Sequence, residues 1–230
     1  MTDPPYNPLE KGNLARSIEG ELLSRAANPL SSVDEIGGAG IYVLYYSGDF
    51  HTYGAIRATS EPDKSTQPIY VGKAIPKGGR KGGLTKDSGR GTALRDRLRQ
   101  HASSVDEARN LQLDDFWVRH LVVEDIWIPL GENMLIETFH PVWNRAIDGF
   151  GNKDPGKRRA AQYRSPWDVL HPGRSFAEKL ADGGLTVEFL QERVLDYFAG
   201  RTLKKLPKKV EEDLEEQQQA AEEAADDAEL

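Results

Sequence analysis

Gly40-Ile41-Tyr42-Val43-Leu44-Tyr45-Tyr46 and, further on, Pro68-Ile69-Tyr70-Val71-Gly72-Lys73 are the two stretches that decide the fold. Both are short, β-branched and aromatic, and glycines at 37, 38 and 40 lead into the first, so each reads as a strand and the two read as neighbours. A polar linker holding Pro62 separates them, and a glycine-rich basic loop, 76–91, follows the second. Outward from this pair, Leu9, Leu14, Ile18, Leu22 and Leu23 recur near a helical period and predict an amphipathic helix over 9–27, ended by Asn28-Pro29. Thr92 is placed to cap a helix running to about 104, with Leu94 and Leu98 on one side and arginines on the others. The alternation in 116–124 predicts a third strand, 129–139 a helix stopped by His140-Pro141, and 186–198 a last helix. The stretch 148–173, rich in Gly, Pro and Arg, reads as structured loop, and 210–230 as either a charged helix or a disordered segment. The expected class is α+β: a small central antiparallel β-sheet of about three strands, flanked by helices, with insertions and with N- and C-terminal helical extensions.

Composition narrows the function. No apolar run approaches the ~18 residues of a membrane helix, and Met1–Leu9 lacks the basic-then-apolar plan of a signal peptide, so a cytoplasmic protein with no membrane partner is expected. The absence of cysteine removes disulfides, thiolate metal sites and thiol nucleophiles, and five scattered histidines do not suit zinc, so any metal is bound mainly by oxygen. The net charge of −7 misrepresents the body of the chain: 210–230 holds ten Asp or Glu and no Lys or Arg, which leaves +3 on residues 1–209. Within that body 73–101 carries nine basic residues against two acidic, and 145–164 six against two, as a polyanion binder needs.

Gly40-Ile41-Tyr42 and Tyr70-Val71-Gly72 are followed by Arg97 and His101 on the predicted helix, then Glu132, then Asn144. This order resembles the GIY-YIG nuclease family, over roughly Gly40 to Asn144. Glu132 and Glu137 compete for the family's glutamate position, and periodicity separates them: Glu132 shares a stripe with Leu135, Ile136 and Phe139, whereas Glu137 points about 140° away. A carboxylate on an apolar stripe is costly unless paired or metal-bound, so Glu132 is the candidate metal ligand. Arg97 and His101, four residues apart, stand one above the other on one helix face. The Arg97 fork suits a phosphate oxygen, and a neutral His101 can accept a hydrogen bond from a tyrosine hydroxyl.

What the resemblance implies is a nuclease core over 37–150, preceded by a helical arm at 1–36 and followed by a DNA-recognition and helical extension at 151–205 and an acidic tail at 206–230. The activity implied is metal-dependent phosphodiester hydrolysis of double-stranded DNA. Tyr42 is the base or its relay, Tyr70 orients water and phosphate, and Asn144 holds loop backbone or phosphate in place. One Mg²⁺ per active site is held by Glu132, with Mn²⁺ able to substitute. A phenol pKa near ~10 would then have to fall by about three units, under the influence of Lys73, Arg97 and the metal. Lys73, Lys77, Arg80, Lys81, Lys86, Arg90 and Arg95 are the candidates for DNA backbone contacts, and Arg158, Arg159 and Arg164 for guanines. Tyr42 and Tyr70 lie 28 apart, and Tyr70 and Arg97 27 apart. Both separations are wider than in compact repair and homing members, so the inserts imply built-in DNA recognition. The resemblance is to type II restriction endonucleases that cut CCGCGG, which implies a homodimer on a GC-rich palindrome and a cognate DNA methyltransferase. Two alternatives stay open: a structure-selective repair or recombination nuclease, and a noncatalytic DNA-binding protein that retains the fold.

Overall fold

The Gly40–Tyr46 run is buried along its whole length because helices cover both faces of the sheet it centres. The computed structural model describes residues 10–56, 67–76, 91–154 and 162–216. In chain order these form α1 (Lys11–Leu23), β1 (Asn28–Pro29), β2 (Gly40–Tyr46), a 3₁₀ turn (His51–Ile56), β3 (Tyr70–Ala74) and α2 (Ala93–Glu107). There follow β4 (Phe116–Val122), α3 (Ile128–Phe139), the short α4 (Val142–Arg145) and α5 (Pro166–Leu170), α6 (Val187–Phe198) and α7, residues 208–216. The sheet order is β1-β4-β2-β3 with every neighbouring pair antiparallel, an α+β fold. Among the described residues no helix is long and apolar enough to cross a membrane.

Strand alternation sorts β2 into two cores. Ile41, Val43 and Tyr45, with Val71 and Leu121, pack against Leu22 of α1 and Ile128, Leu135 and Phe139 of α3. On the other face, Tyr42, Leu44 and Tyr46, with Tyr70, Phe116 and Val118, join Leu94 and Leu98 of α2, Trp143, Phe150 and Trp167. Trp143 and Trp167 are fully enclosed here. Gly40 starts β2 because a Cβ there would collide with the Leu121 carbonyl of the adjoining strand.

Several boundaries differ from the sequence expectation. Among the described residues the sheet has four strands: Asn28–Pro29, read as the end of the first helix, pairs with Trp117 and Val118, and α1 stops at Leu23. Thr92 precedes α2 but makes no side-chain cap; its hydroxyl donates to the Asp96 carboxylate at 2.7 Å instead. His140 ends α3 in a left-handed conformation, φ 48°, immediately before Pro141. The stretch read as loop contains α5, capped by the Ser165 hydroxyl accepting from the Asp168 N–H. The first part of the tail, 208–216, is helical.

Candidate active site

Tyr42 lies in the middle of β2, directly opposite Gly72 on β3 and His120 on β4. Its hydroxyl and ring pass over Gly72, where any Cβ would collide with them and crowd the Tyr70 ring. The glycine is therefore required by the close approach of the tyrosine. Tyr70 stands on the same face, its ring centroid 6.4 Å from that of Tyr42. Helix α2 lies across this face and brings His101 down between them: Tyr42 Oη is 2.6 Å from His101 Nε2, and the Tyr70 and His101 rings are 5.3 Å apart. Phe150 closes the far side, stacked on the imidazole at 4.4 Å. Arg97, one turn before His101, donates to the Gly151 carbonyl at 3.0 Å and to Gln100 Oε1 at 3.2 Å. A cleft of about 390 Å³ opens on the outer side of Arg97 and His101, walled by Gln100, Ser103, Asn152 and Lys153.

Burial governs the protonation states. It pushes Tyr42 well above the ordinary phenol value, aided by the neighbouring Tyr70 and only partly opposed by Arg97. Tyr70 is pushed up to about 12 by burial, against the pull of Arg97. His101 is held well below the usual imidazole range, first by burial and then by the charges of Arg97, Arg174 and Lys153. At neutral pH both phenols keep their protons and the imidazole is uncharged; in the tautomer with its proton on Nδ1, His101 Nε2 accepts the Tyr42 O–H. Of the cations expected to lower the phenol, the two that belong to the chain do not achieve it. Arg97 acts in that direction but burial outweighs it, and Lys73 is engaged elsewhere.

Its partner is Glu132: the Lys73 ammonium lies 2.7 Å from Glu132 Oε2, and the Glu132 side chain is only 14% exposed. Glu137 is exposed, as the helical stripe requires. The charge of Glu132 reaches both phenols, raising each. Asn144, the first residue beyond Trp143, turns its amide onto the outer edge of β3, donating to the Val71 carbonyl at 2.9 Å and accepting from the Val71 N–H at 2.9 Å. With the Trp143 N–H on the Ile69 carbonyl, it completes the pairing that an edge strand otherwise lacks.

A family model described as the Eco29kI GIY-YIG domain matches residues 34–198. The chain belongs to the GIY-YIG nuclease family. No curated protein matches it. The match spans every element from the start of β2 to the end of α6, and it makes this GIY-YIG protein an endonuclease of restriction type acting on DNA.

Six residues singled out in the GIY-YIG pattern are thus placed around the β2–β3 edge, but the basic residues are not all there. Arg95 donates to the Asp34 carbonyl, and Arg99 pairs with the Asp34 carboxylate at 2.8 Å. Arg164 sits beside the Tyr163–Ala181 bridge. Lys77, Arg80, Lys81, Lys86 and Arg90, like Arg158 and Arg159, lie outside the described residues. Sequence reasoning missed Arg174 and Asp168. Arg174 is 1% exposed and forks onto both Asp168 oxygens at 2.7 and 2.8 Å. Its remaining donors hold the carbonyls of Gly149, Phe150 and Asn152. It thereby shapes the loop that stacks Phe150 on His101 and gives Arg97 its carbonyl partner. The only local signal was an arginine in a Gly/Pro-rich stretch, which reads equally well as a DNA contact.

Proposed function

We propose that this GIY-YIG endonuclease is a type II restriction enzyme that makes double-strand breaks at a GC-rich palindrome, of which CCGCGG is the candidate, by Mg²⁺-dependent hydrolysis. The observation that carries the chemistry is the 2.6 Å contact between Tyr42 and a neutral His101, beside Arg97 and Tyr70. Attack on a phosphodiester needs a proton acceptor at the water, and this pair supplies one without a phenolate. Tyr42 Oη takes the water's proton as its own passes to His101 Nε2. Arg97 binds a non-bridging phosphate oxygen with its fork, and Tyr70 donates its O–H to the phosphate to fix its orientation. Phe150, flat against the imidazole, excludes water from the proton acceptor.

The residues present fit a metal through Glu132. Among the described residues no group of three or more His, Asp or Glu side chains converges, so one carboxylate would hold an ion that keeps most of its waters, as Mg²⁺ does and Mn²⁺ can. When bound there it supplies charge neutralisation at the phosphate and the leaving oxygen. One such site per chain and a palindromic target call for a two-fold homodimer on the DNA, and a restriction enzyme for a methyltransferase that protects host sites.

Digestion of plasmid and phage DNA with Mg²⁺, followed by sequencing of the ends, tests this. Discrete fragments sharing one end sequence are expected; cleavage confined to junctions or flaps would instead establish a structure-selective repair nuclease. Tyr42→Phe and Glu132→Ala are each expected to slow cutting by about 100-fold or more while the protein stays folded. Unchanged cutting in both would remove the assigned chemistry.

A further inference from the structure

Lys73 leaves β3 opposite Ile41, on the face that α3 covers, and its ammonium donates to Glu132 Oε2 at 2.7 Å. The two ends of this pair are unequal: the lysine side chain is 37% exposed and the glutamate 14%. Glu132 is therefore already neutralised by a cation that belongs to the chain. A divalent ion entering that carboxylate meets an ammonium in its place, and two cations at one oxygen pair repel each other strongly at such short range. Lysine is a compact charge on a flexible stem, and here more than a third of its side chain is exposed, so it can leave Glu132 without disturbing the core. What would draw it away is a second anion at the β3 edge, the DNA phosphate.

We propose that Lys73 is an internal counter-ion that occupies the metal-binding carboxylate of Glu132 until a DNA phosphate takes it, so that metal and DNA each favour binding of the other. The inference rests on Glu132 being the metal carboxylate. Without DNA the lysine competes with the metal. With DNA it moves onto a phosphate oxygen, Glu132 regains its full negative charge, and the ion binds where its charge is needed. Because coupling between two ligands is reciprocal, metal bound at Glu132 releases Lys73 and strengthens DNA binding in turn. The nuclease would then be weakly loaded when free and fully loaded only on its substrate.

Titration of the full chain with Mn²⁺ alone, followed by the magnetic-resonance signal of the free ion, reads the competition directly. Lys73→Met is expected to bind Mn²⁺ about five- to tenfold more tightly than wild type, within the usual size of such couplings. Lys73→Arg is expected to keep the weaker wild-type affinity, and Glu132→Gln to lose the site. In EDTA, with a short duplex and fluorescence anisotropy, Glu132→Gln should bind DNA several-fold more tightly, since its lysine is already released. Lys73→Met should lower the slope of log affinity against log salt by about one. Lys73→Met binding Mn²⁺ no more tightly than wild type, or Glu132→Gln binding DNA no better in EDTA, overturns the hand-over. The Mn²⁺ titration needs no DNA, so its failure beside normal plasmid cutting sinks this inference alone. A chain that cuts no DNA, with the Mn²⁺ result as expected, sinks the nuclease reading instead.

Discussion

Replacing His171 with glutamine should change how the protein responds to acid. His171 is fully buried and sits in a chain of hydrogen bonds that admits one protonation state. The Trp143 indole N–H donates to Tyr53 Oη at 2.8 Å, Tyr53 faces His171 Nε2 at 2.5 Å, and His171 Nδ1 faces Asn110 Oδ1 at 3.0 Å. Asn110 spends its N–H on the Leu170 carbonyl, which fixes its oxygen toward the ring. The imidazole is thus a donor at Nδ1 and an acceptor at Nε2, and protonation would set a second N–H against the Tyr53 hydroxyl. Burial, reinforced by Arg174, lowers its pKa to about 3. Between that value and the ~6.5 of an unfolded histidine, the unfolded chain holds more protons than the native one, so this contribution is complete above ~6.5 and is lost as pH falls toward 3. At pH 4.5 the loss spans about two units at about 1.4 kcal/mol each, or about 3 kcal/mol, a large part of a typical stability of 5–15 kcal/mol. Urea unfolding followed by tryptophan fluorescence at pH 7 and 4.5 measures it. Although His171→Gln costs about 1–3 kcal/mol at pH 7, it should lose about 3 kcal/mol less than wild type on acidification. Other groups, His101 among them, cancel in that comparison, and parallel losses in the two proteins would refute the reasoning.

Gly72→Ala drives a methyl group into the Tyr42 hydroxyl in a site with no room to yield. It should cost about 1–3 kcal/mol in a thermal melt and slow plasmid cutting by at least about tenfold, and full activity would show that the Tyr42–His101 contact does not matter. Asp168→Ala leaves the Arg174 guanidinium buried without its carboxylate. The expected loss is about 3–5 kcal/mol in urea unfolding, and a change below about 1 kcal/mol would mean that the loop carbonyls alone hold the arginine.

Strands β2 and β3 were legible because their apolar, β-branched runs are a local property, and α3 because Glu132, Leu135 and Phe139 repeat at the helical period. The shared helix face of Arg97 and His101 could be anticipated from their i, i+4 spacing, whereas the contact of His101 with Tyr42 spans 59 residues and depends on how α2 packs on the sheet. What remained hidden depends on distant partners. Two residues, Asn28 and Pro29, carry no strand signal of their own and are extended because Trp117 and Val118 pair with them. Lys73 reads as one more positive charge in a basic stretch until α3 brings Glu132 to it. The raised phenols follow from enclosure by Phe150 and α2, which no residue type announces.

The Asn144 amide on Val71 has a consequence for how the protein fails. A strand at the margin of a sheet is a template onto which another polypeptide can add, the first step of many aggregation routes. Val71 sits between Tyr70 and Gly72, and both of its main-chain groups are already taken. A foreign strand could join there only by evicting Asn144, while β3 keeps its five pairings with β2. The amide that seals this margin belongs to a residue of the GIY-YIG pattern, so one side chain serves both the pattern and the protection of the sheet edge.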